Sequence, residues 1–429
     1  MNKKLTLKEL IWIGTGHVIG AGVVSIVGSA LARTGYSVWL AFIVACILSF
    51  IRILPVIFFN SAVTVEGGRY GMITKCAGMK YGGLITLSSL LNWSARGTAV
   101  LALSKYISEF IPFINSSLFT LVIWLSFCIA NLYGLDMMSR IQSFATPVLL
   151  SALGLFSFLA VINTQKGYLD FSSPLMFTGG KKGFFTAVVL LSYSCDGIAS
   201  LANYSTKCVN PKRNIPLSMF MVSVITTVIY VAVSFASGAV LPLKYTANST
   251  LIVTARKIMT PLTFNLFVIC GPVFALLTTM NAGIPDSILP VMAGVREGWL
   301  PSFLAKQNKY GAYYIATLII FIIGSLPVIL GFSVSDIAST TIFLGGLSAV
   351  LIIISAVNFP FKFKTEWQKS KLYIPNLLYF SVVILCAVTE LFMVIKAING
   401  LDFKMKIVNS IITFLCFVYG MHKFKDFCE

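Results

Sequence analysis

The stretch Gly14-Thr15-Gly16-His17-Val18-Ile19-Gly20-Ala21-Gly22 lies in the middle of the first apolar run of the chain, residues 10–32. At 1.5 Å per helical residue, such a run is long enough to cross a bilayer. Its centre nevertheless holds Gly14, Gly16, Gly20 and Gly22, with one of the only two histidines in the sequence between them. Glycine loses more backbone entropy in a helix than any other residue, so a cluster of it at membrane depth invites the helix to break. Broken backbone survives in the hydrocarbon region only where protein buries it or where it lines a cavity. The stretch therefore reads as half of a binding site. The alternative is a small-residue surface for close helix packing.

The chain around it is apolar throughout. Of its 429 residues, 57% are apolar and 11% charged, against about 25% charged residues in a soluble domain. Apolar runs between polar breaks give roughly twelve spans, at 10–32, 36–60, 83–112, 117–135, 140–162, 184–206, 214–241, 258–284, 312–331, 337–358, 374–395 and 405–421. This is the pattern of an all-α polytopic membrane protein, and it leaves no room for a soluble catalytic domain.

The net charge of +18 belongs to the membrane rather than to nucleic acid. With the N-terminus placed inside, more than half of the 32 Lys and Arg fall on inner segments, among them Lys3, Lys4, Lys8, Lys75, Lys80, Lys212, Arg213, Lys369 and Lys371. That bias puts both termini in the cytoplasm, in a multi-pass protein of the cytoplasmic membrane. The nine cysteines are scattered, with no Cys-x-x-Cys pair. They read as small apolar residues, not as a disulfide framework or zinc site. The start, Met1-Asn2-Lys3-Lys4, lacks a cleavage site, so the first span is expected to remain in the mature protein.

The sixth run has a second unusual centre: Ser192-Tyr193-Ser194-Cys195-Asp196-Gly197. It follows the first glycine-rich run by five span positions. Five is odd, so two five-span units would lie inverted with respect to each other. Interrupted segments at corresponding places in two halves are a sequence pointer to a transporter's binding site. Breaking a helix frees N–H groups on one half and carbonyls on the other. The N–H groups, at the positive end of the helix dipole, suit a carboxylate; the carbonyls suit an ammonium or a small cation. Two adjacent breaks can thus hold the main-chain groups of an amino acid with backbone alone.

Four further features carry a resemblance. Ile19-Gly20-Ala21-Gly22-Val23 resembles the first-helix signature of the amino acid–polyamine–organocation permeases. Gly67-Gly68-Arg69-Tyr70 resembles that family's lead-in to a short inner interfacial helix. Val209-Asn210-Pro211-Lys212-Arg213-Asn214-Ile215-Pro216 is similar to its loop between helices six and seven. Arg296-Glu297-Gly298-Trp299-Leu300-Pro301 is similar to the stretch after its eighth helix. The resemblance implies an inverted five-plus-five repeat with discontinuous helices 1 and 6 (LeuT-like). Its units are residues 10–165 and 181–360, with two additional helices over 372–421, an N-terminal segment 1–9 and a tail 422–429. It also implies transport of an amino acid or amine by alternating access, with no cofactor. Ile19, Gly20, Ala21, Gly22 and Val23 would take the substrate carboxylate. Tyr193, Ser194, Cys195, Asp196 and Gly197 would take the amino group and one wall of the side-chain pocket. Two departures stand out. Ser205 and Thr206 replace acids that the family often carries there, and the fifth span has no lysine of the kind found in many proton-coupled members. They raise the alternative of a transport-inactive amino acid sensor on the same fold.

Single residues refine the expected site. Asp196 selects an amino or cationic group, carries a proton, or caps the half-helix after it. His17 titrates near neutral pH as a coupling or gating group, or packs against a freed carbonyl. Arg96, in the third span, pairs with Asp196, meets an acidic substrate, or reaches a polar cavity wall. Asn92 and Trp93 are expected pocket-lining residues. Thr278 and Thr279 are candidates for a sodium site, leaving sodium or a proton as the coupling ion. Arg52 and Glu390 read as snorkelling or helix–helix charges toward the edges of their spans. The apolar Ile19, Val23 and Ile198 favour a neutral side chain, whereas Asp196 favours a cationic one. The sequence lacks His-Glu-x-x-His, Gly-x-Ser-x-Gly and Gly-x-x-x-x-Gly-Lys-Ser/Thr, so enzyme and ATP-driven readings find no motif.

Overall fold

Thr6 starts the first helix. Its hydroxyl accepts from the Glu9 N–H (3.3 Å) and its own N–H donates to Glu9 Oε2 (2.8 Å), closing a capping box. The structure is a computed structural model that describes residues 4–425 apart from 21, 111, 112, 114, 196, 332, 333, 401 and 402. Ala21 and Asp196, both expected site residues, thus lie outside the described residues.

The helices follow one another as α1 (Leu7–Val18), α2 (Val27–Thr34), α3 (Val38–Ala62) and the short α4 (Arg69–Cys76). Then come α5 (Gly82–Leu91), α6 (Arg96–Phe110), α7 (Ser116–Asn131), α8 (Gly134–Ile162) and α9 (Gly180–Ser192). The last group is α10 (Pro211–Ala239), α11 (Pro261–Val268), α12 (Phe274–Arg296), α13 (Tyr314–Ile329), α14 (Val334–Lys362), α15 (Asn376–Gly400) and α16 (Phe403–Lys425). Among the described residues the only β contact is an isolated bridge, Leu5 with Cys208. Seven helical stretches there are long and apolar enough to cross a membrane; Ser116–Asn131, Tyr314–Ile329 and Ser348–Lys362 are shorter apolar helices.

The clearest departure from the sequence reading is the eighth run. From the sequence the run is expected to end at residue 284. Instead α11 passes through a π-turn, Ile269–Val273, into α12, which continues through both prolines to Arg296. Prolines persist in membrane helices because neighbours re-satisfy the freed backbone groups. The third run is also not one helix, since a tight turn at Asn92–Ala95 divides α5 from α6.

Three of the quoted motifs meet the end of the sixth run on the side of the N-terminus. Gly67 and Gly68 both have positive φ (72° and 56°) and turn the chain into α4. Tyr70 donates to Glu297, Arg296 pairs with Glu66, and Ser205 donates to the Val65 carbonyl. Burial, and then the Glu297 carboxylate beside it, raise the Tyr70 phenol above its usual range. Leu5 clamps the N-terminus to the same place through its N–H to the Lys207 carbonyl (2.9 Å) and its carbonyl to the Val209 N–H (2.9 Å).

Arg52 and Glu390 do not sit at helix edges. They lie well inside α3 and α15 and pair at 2.7 Å, with side chains 19% and 12% exposed. The pair fastens α15 to α3. Removing one partner of a buried pair strands the other charge, whereas an apolar replacement of both is close to neutral. Arg52→Leu alone should destabilise the protein by about 3 kcal/mol, read as a lowered melting temperature in detergent. The double variant Arg52→Leu, Glu390→Leu should recover most of that loss.

Candidate functional site

Both expected breaks are present. α1 stops at Val18, and Ile19 is extended (φ −78°, ψ 90°). The chain becomes helical again at a π-turn, Gly22–Ile26, which runs into α2. In the sixth run α9 ends at Ser192 and a tight turn covers Tyr193–Cys195. Gly197 then takes φ 112°, a left-handed conformation in which a Cβ is strained, and Ile198–Lys207 continues as a 3-10 helix.

The two breaks touch. A Cβ on Gly197 would lie 3.1 Å from His17 Cδ2 and 3.4 Å from Val18 Cγ2. A Cβ on Gly22 would lie 2.7 Å from Ser194 Cβ and 2.8 Å from its Cα. The glycines are needed here because backbone of one break passes directly over the other.

Freed carbonyls at the breaks find hydroxyls from other helices. The Tyr230 hydroxyl, on α10, is 2.7 Å from the Val18 carbonyl and 2.7 Å from the Ser194 carbonyl, so one phenol serves both breaks. Tyr106, on α6, donates to the Val24 carbonyl (2.8 Å). Thr279, on α12, donates to the Ala275 carbonyl of its own helix (2.9 Å) and lies 3.4 Å from the His17 carbonyl. Tyr230 and Tyr106 were missed in the sequence. Their only signal was a polar tip in the middle of an apolar run, which a packed tyrosine shares.

A cavity of about 380 Å³ opens beside the breaks, within the range of small-molecule sites, roughly 300–1,000 Å³. Of the expected residues, His17, Gly20, Gly22, Asn92, Arg96, Tyr193, Ser194, Cys195, Gly197 and Thr279 line it. Ile19, Val23, Trp93 and Thr278 do not. Ile19 and Val23 are fully buried in the core, as Ile198 nearly is, so they say nothing of the substrate's side chain. Trp93 is also fully buried, and its indole N–H donates to the Ser287 carbonyl (2.9 Å), tying the α5–α6 junction to α12. The Thr278 hydroxyl donates within its own helix, near the Phe274 and Ala275 carbonyls (2.9 and 3.0 Å). No group of three or more His, Cys, Asp and Glu occurs among the described residues. The fifth-span polar position is filled by Gln142, whose Oε1 accepts from Asn281 Nδ2 (3.0 Å).

Asp286 is the central residue that sequence reading missed, because the eighth run was ended two residues before it. His17 Nε2 lies 3.3 Å from Asp286 Oδ2, with side chains 8% and 14% exposed. Asn203 Nδ2 donates to Asp286 Oδ1 (2.8 Å). One carboxylate thus joins the end of α1, the segment after the second break, and α12. His17 faces this carboxylate rather than a freed carbonyl. Around α2, the Asn248 N–H donates to the Gly28 carbonyl (2.8 Å) and the Tyr36 N–H to the Leu175 carbonyl (3.0 Å). Toward the N-terminal side the cavity reaches Arg69, Tyr70 and Ile73 of α4.

A family model described as amino acid permease matches residues 5–421, nearly the whole sequence. The chain belongs to the amino acid permease family. The resemblance read from the four motifs is therefore correct, and the permease is a multi-pass membrane protein. It is 26% identical to an uncharacterized protein of Methanocaldococcus jannaschii over 82% of this chain and 80% of that one. It is 22% identical to the branched-chain amino acid permease BcaP of Bacillus subtilis, over 83% and 80% of the two chains. It is 24% identical to the vacuolar cationic amino acid transporter 2 of Arabidopsis thaliana, over 72% of this chain and 52% of that one.

In this permease the shared phenol of Tyr230 has a measurable consequence. Tyr230→Phe removes the single O–H that the Val18 and Ser194 carbonyls share, at a cost of about 1–3 kcal/mol. The variant should melt earlier than the parent in detergent, and Phe42, which stacks on the Tyr230 ring at 4.8 Å, should not compensate.

Proposed function

We propose that this permease is a secondary transporter that carries an amino acid or a related amine across the cytoplasmic membrane by alternating access. The observation that carries this reading is the contact between the two breaks, Gly22 on Ser194 and Gly197 on His17 and Val18, at the wall of one cavity. Loose N–H groups around Gly20 to Gly22 present the positive end of a helix to a carboxylate. The carbonyls and hydroxyls of residues 193–197 present acceptors to an ammonium. Substrate main chain is held by backbone, and side chain is read by the remaining walls.

Twelve spans in an inverted five-plus-five arrangement, 10–165 and 181–360, with two more over 372–421 and both termini cytoplasmic, accommodate this mechanism. The reach of the cavity toward α4 fits a path for substrate on the N-terminal side. Asp286, joining three segments that meet at the breaks, is where their relative movement would be felt first. Sodium and a proton both remain as coupling ions, with Thr278 and Thr279 the candidates for the first and His17 beside Asp286 for the second. The named relatives with an assigned role are permeases and transporters, which lends no support to the sensor alternative or to an enzyme.

Reconstituted protein should accumulate at least one labelled amino acid, or exchange it against the same amino acid trapped inside liposomes. Gly22→Ala places a methyl group 2.8 Å from the Ser194 Cα and should lower that flux at least tenfold together with the melting temperature. Absence of flux for all amino acids and simple amines in the parent protein would remove the transporter reading.

A further inference from the structure

The cavity beside the breaks is unusually rich in cations. Arg52, Arg69 and Arg96 line it, against Glu390 and Asp286 among the described residues. Arg52 is matched by Glu390. Asp286 is taken up by His17 and Asn203. Arg96 and Arg69 make no direct ion pair or hydrogen bond among the described residues, although both stand near enough to Asp286 to act on its charge, and the Nε atom of each is buried without a partner. Asp196 is outside the described residues and is not counted.

Arg96 is positioned by a specific close approach. A Cβ on Gly283 would lie 2.6 Å from Arg96 Nη1 and 3.2 Å from its Cδ, so the guanidinium lies directly on α12 where only glycine leaves room. On the same wall, Asn92 Oδ1 and Ser194 Oγ are also buried without partners. A carboxylate matches a planar guanidinium with two parallel hydrogen bonds. Backbone at the breaks already supplies donors for a main-chain carboxylate. The unmatched guanidinium therefore calls for a second one.

Resting on the transporter reading above, we propose that the substrate class is an acidic amino acid whose side-chain carboxylate is bound by Arg96, with Arg69 supplying a second positive charge toward the N-terminal side of the cavity. An ammonium and two carboxylates give such a substrate one net negative charge, which balances the one guanidinium in excess over the carboxylates that line the cavity among the described residues. A lysine or arginine side chain would instead add positive charge beside Arg96 and Arg69. The proposal separates this permease from what the printed names of its relatives describe, branched-chain and cationic amino acids.

The test compares isosteric pairs on the purified full-length protein. Binding of glutamate, aspartate, glutamine, asparagine, leucine and lysine is measured by calorimetry in detergent, and uptake of the same six in liposomes. Each acid should bind at least about tenfold more tightly than its amide, the value of one charge-assisted contact. Arg96→Gln should bring the acid-to-amide ratio to within about twofold, and Arg96→Lys should restore part of it. Gly283→Ala, which keeps the charge but displaces the guanidinium, should also reduce the ratio. Melting temperatures of all three variants report whether they are folded, and the parent's own acid-to-amide ratio decides the matter if they are not. Preference for an amide, leucine or lysine overturns the acidic-substrate proposal while leaving transport intact. No binding and no uptake of any of the six overturns both.

Discussion

Everything in this permease depends on keeping two stretches of unpaired backbone satisfied in the middle of the bundle. A helix that breaks in an apolar medium loses its own hydrogen bonds and cannot borrow water. Here one phenol, Tyr230, stands between the Val18 and Ser194 carbonyls and serves both at 2.7 Å. Tyr106 and Thr279 reach further carbonyls of the first break from two other helices. The breaks are thus fastened to a frame of intact helices, and α10, packed along α1 and α3, is the part of the frame that holds both. What remains unsatisfied faces the cavity.

Charge is distributed on the same principle. Ionisable groups inside a membrane protein are costly and face each other or a cavity. Arg52 and Glu390 obey this by pairing across α3 and α15. Asp286 obeys it by gathering His17 and Asn203. Arg96 and Arg69 obey it only by lining the cavity. Of the three arginines that line the cavity, the two without a direct ion pair among the described residues are thus Arg96 and Arg69.

Sequence and tertiary structure part company at identifiable residues. The prolines at 285 and 290 look like the end of a span, and Asp286 between them like a loop acid. In the folded chain α12 runs through both. Without that continuation His17 had no visible partner, so the carboxylate that joins three segments was absent from the expected site. Trp93, Ile19 and Val23 show the converse error. Their positions next to the breaks are right, but the 3.6-residue period that assigns a helix face is lost where the helix ends. Which of them point inward is then decided by the neighbours.

By itself the sequence determined the apolar helical architecture, the two places where helices break, and the family, because these follow from run length, from glycine at membrane depth and from short local motifs. Residues near those breaks, from His17 to Gly22 and Tyr193 to Gly197, were legible for the same reason, although Ala21 and Asp196 lie outside the described residues. Only the tertiary structure decided that the breaks touch, that Tyr230 bonds to both, that Asp286 faces His17, and that Arg96 stands against Gly283 unmatched. Each of those is a contact between residues far apart in the chain. Such contacts are set by how helices pack, about which the spacing of residues along any one helix carries no information.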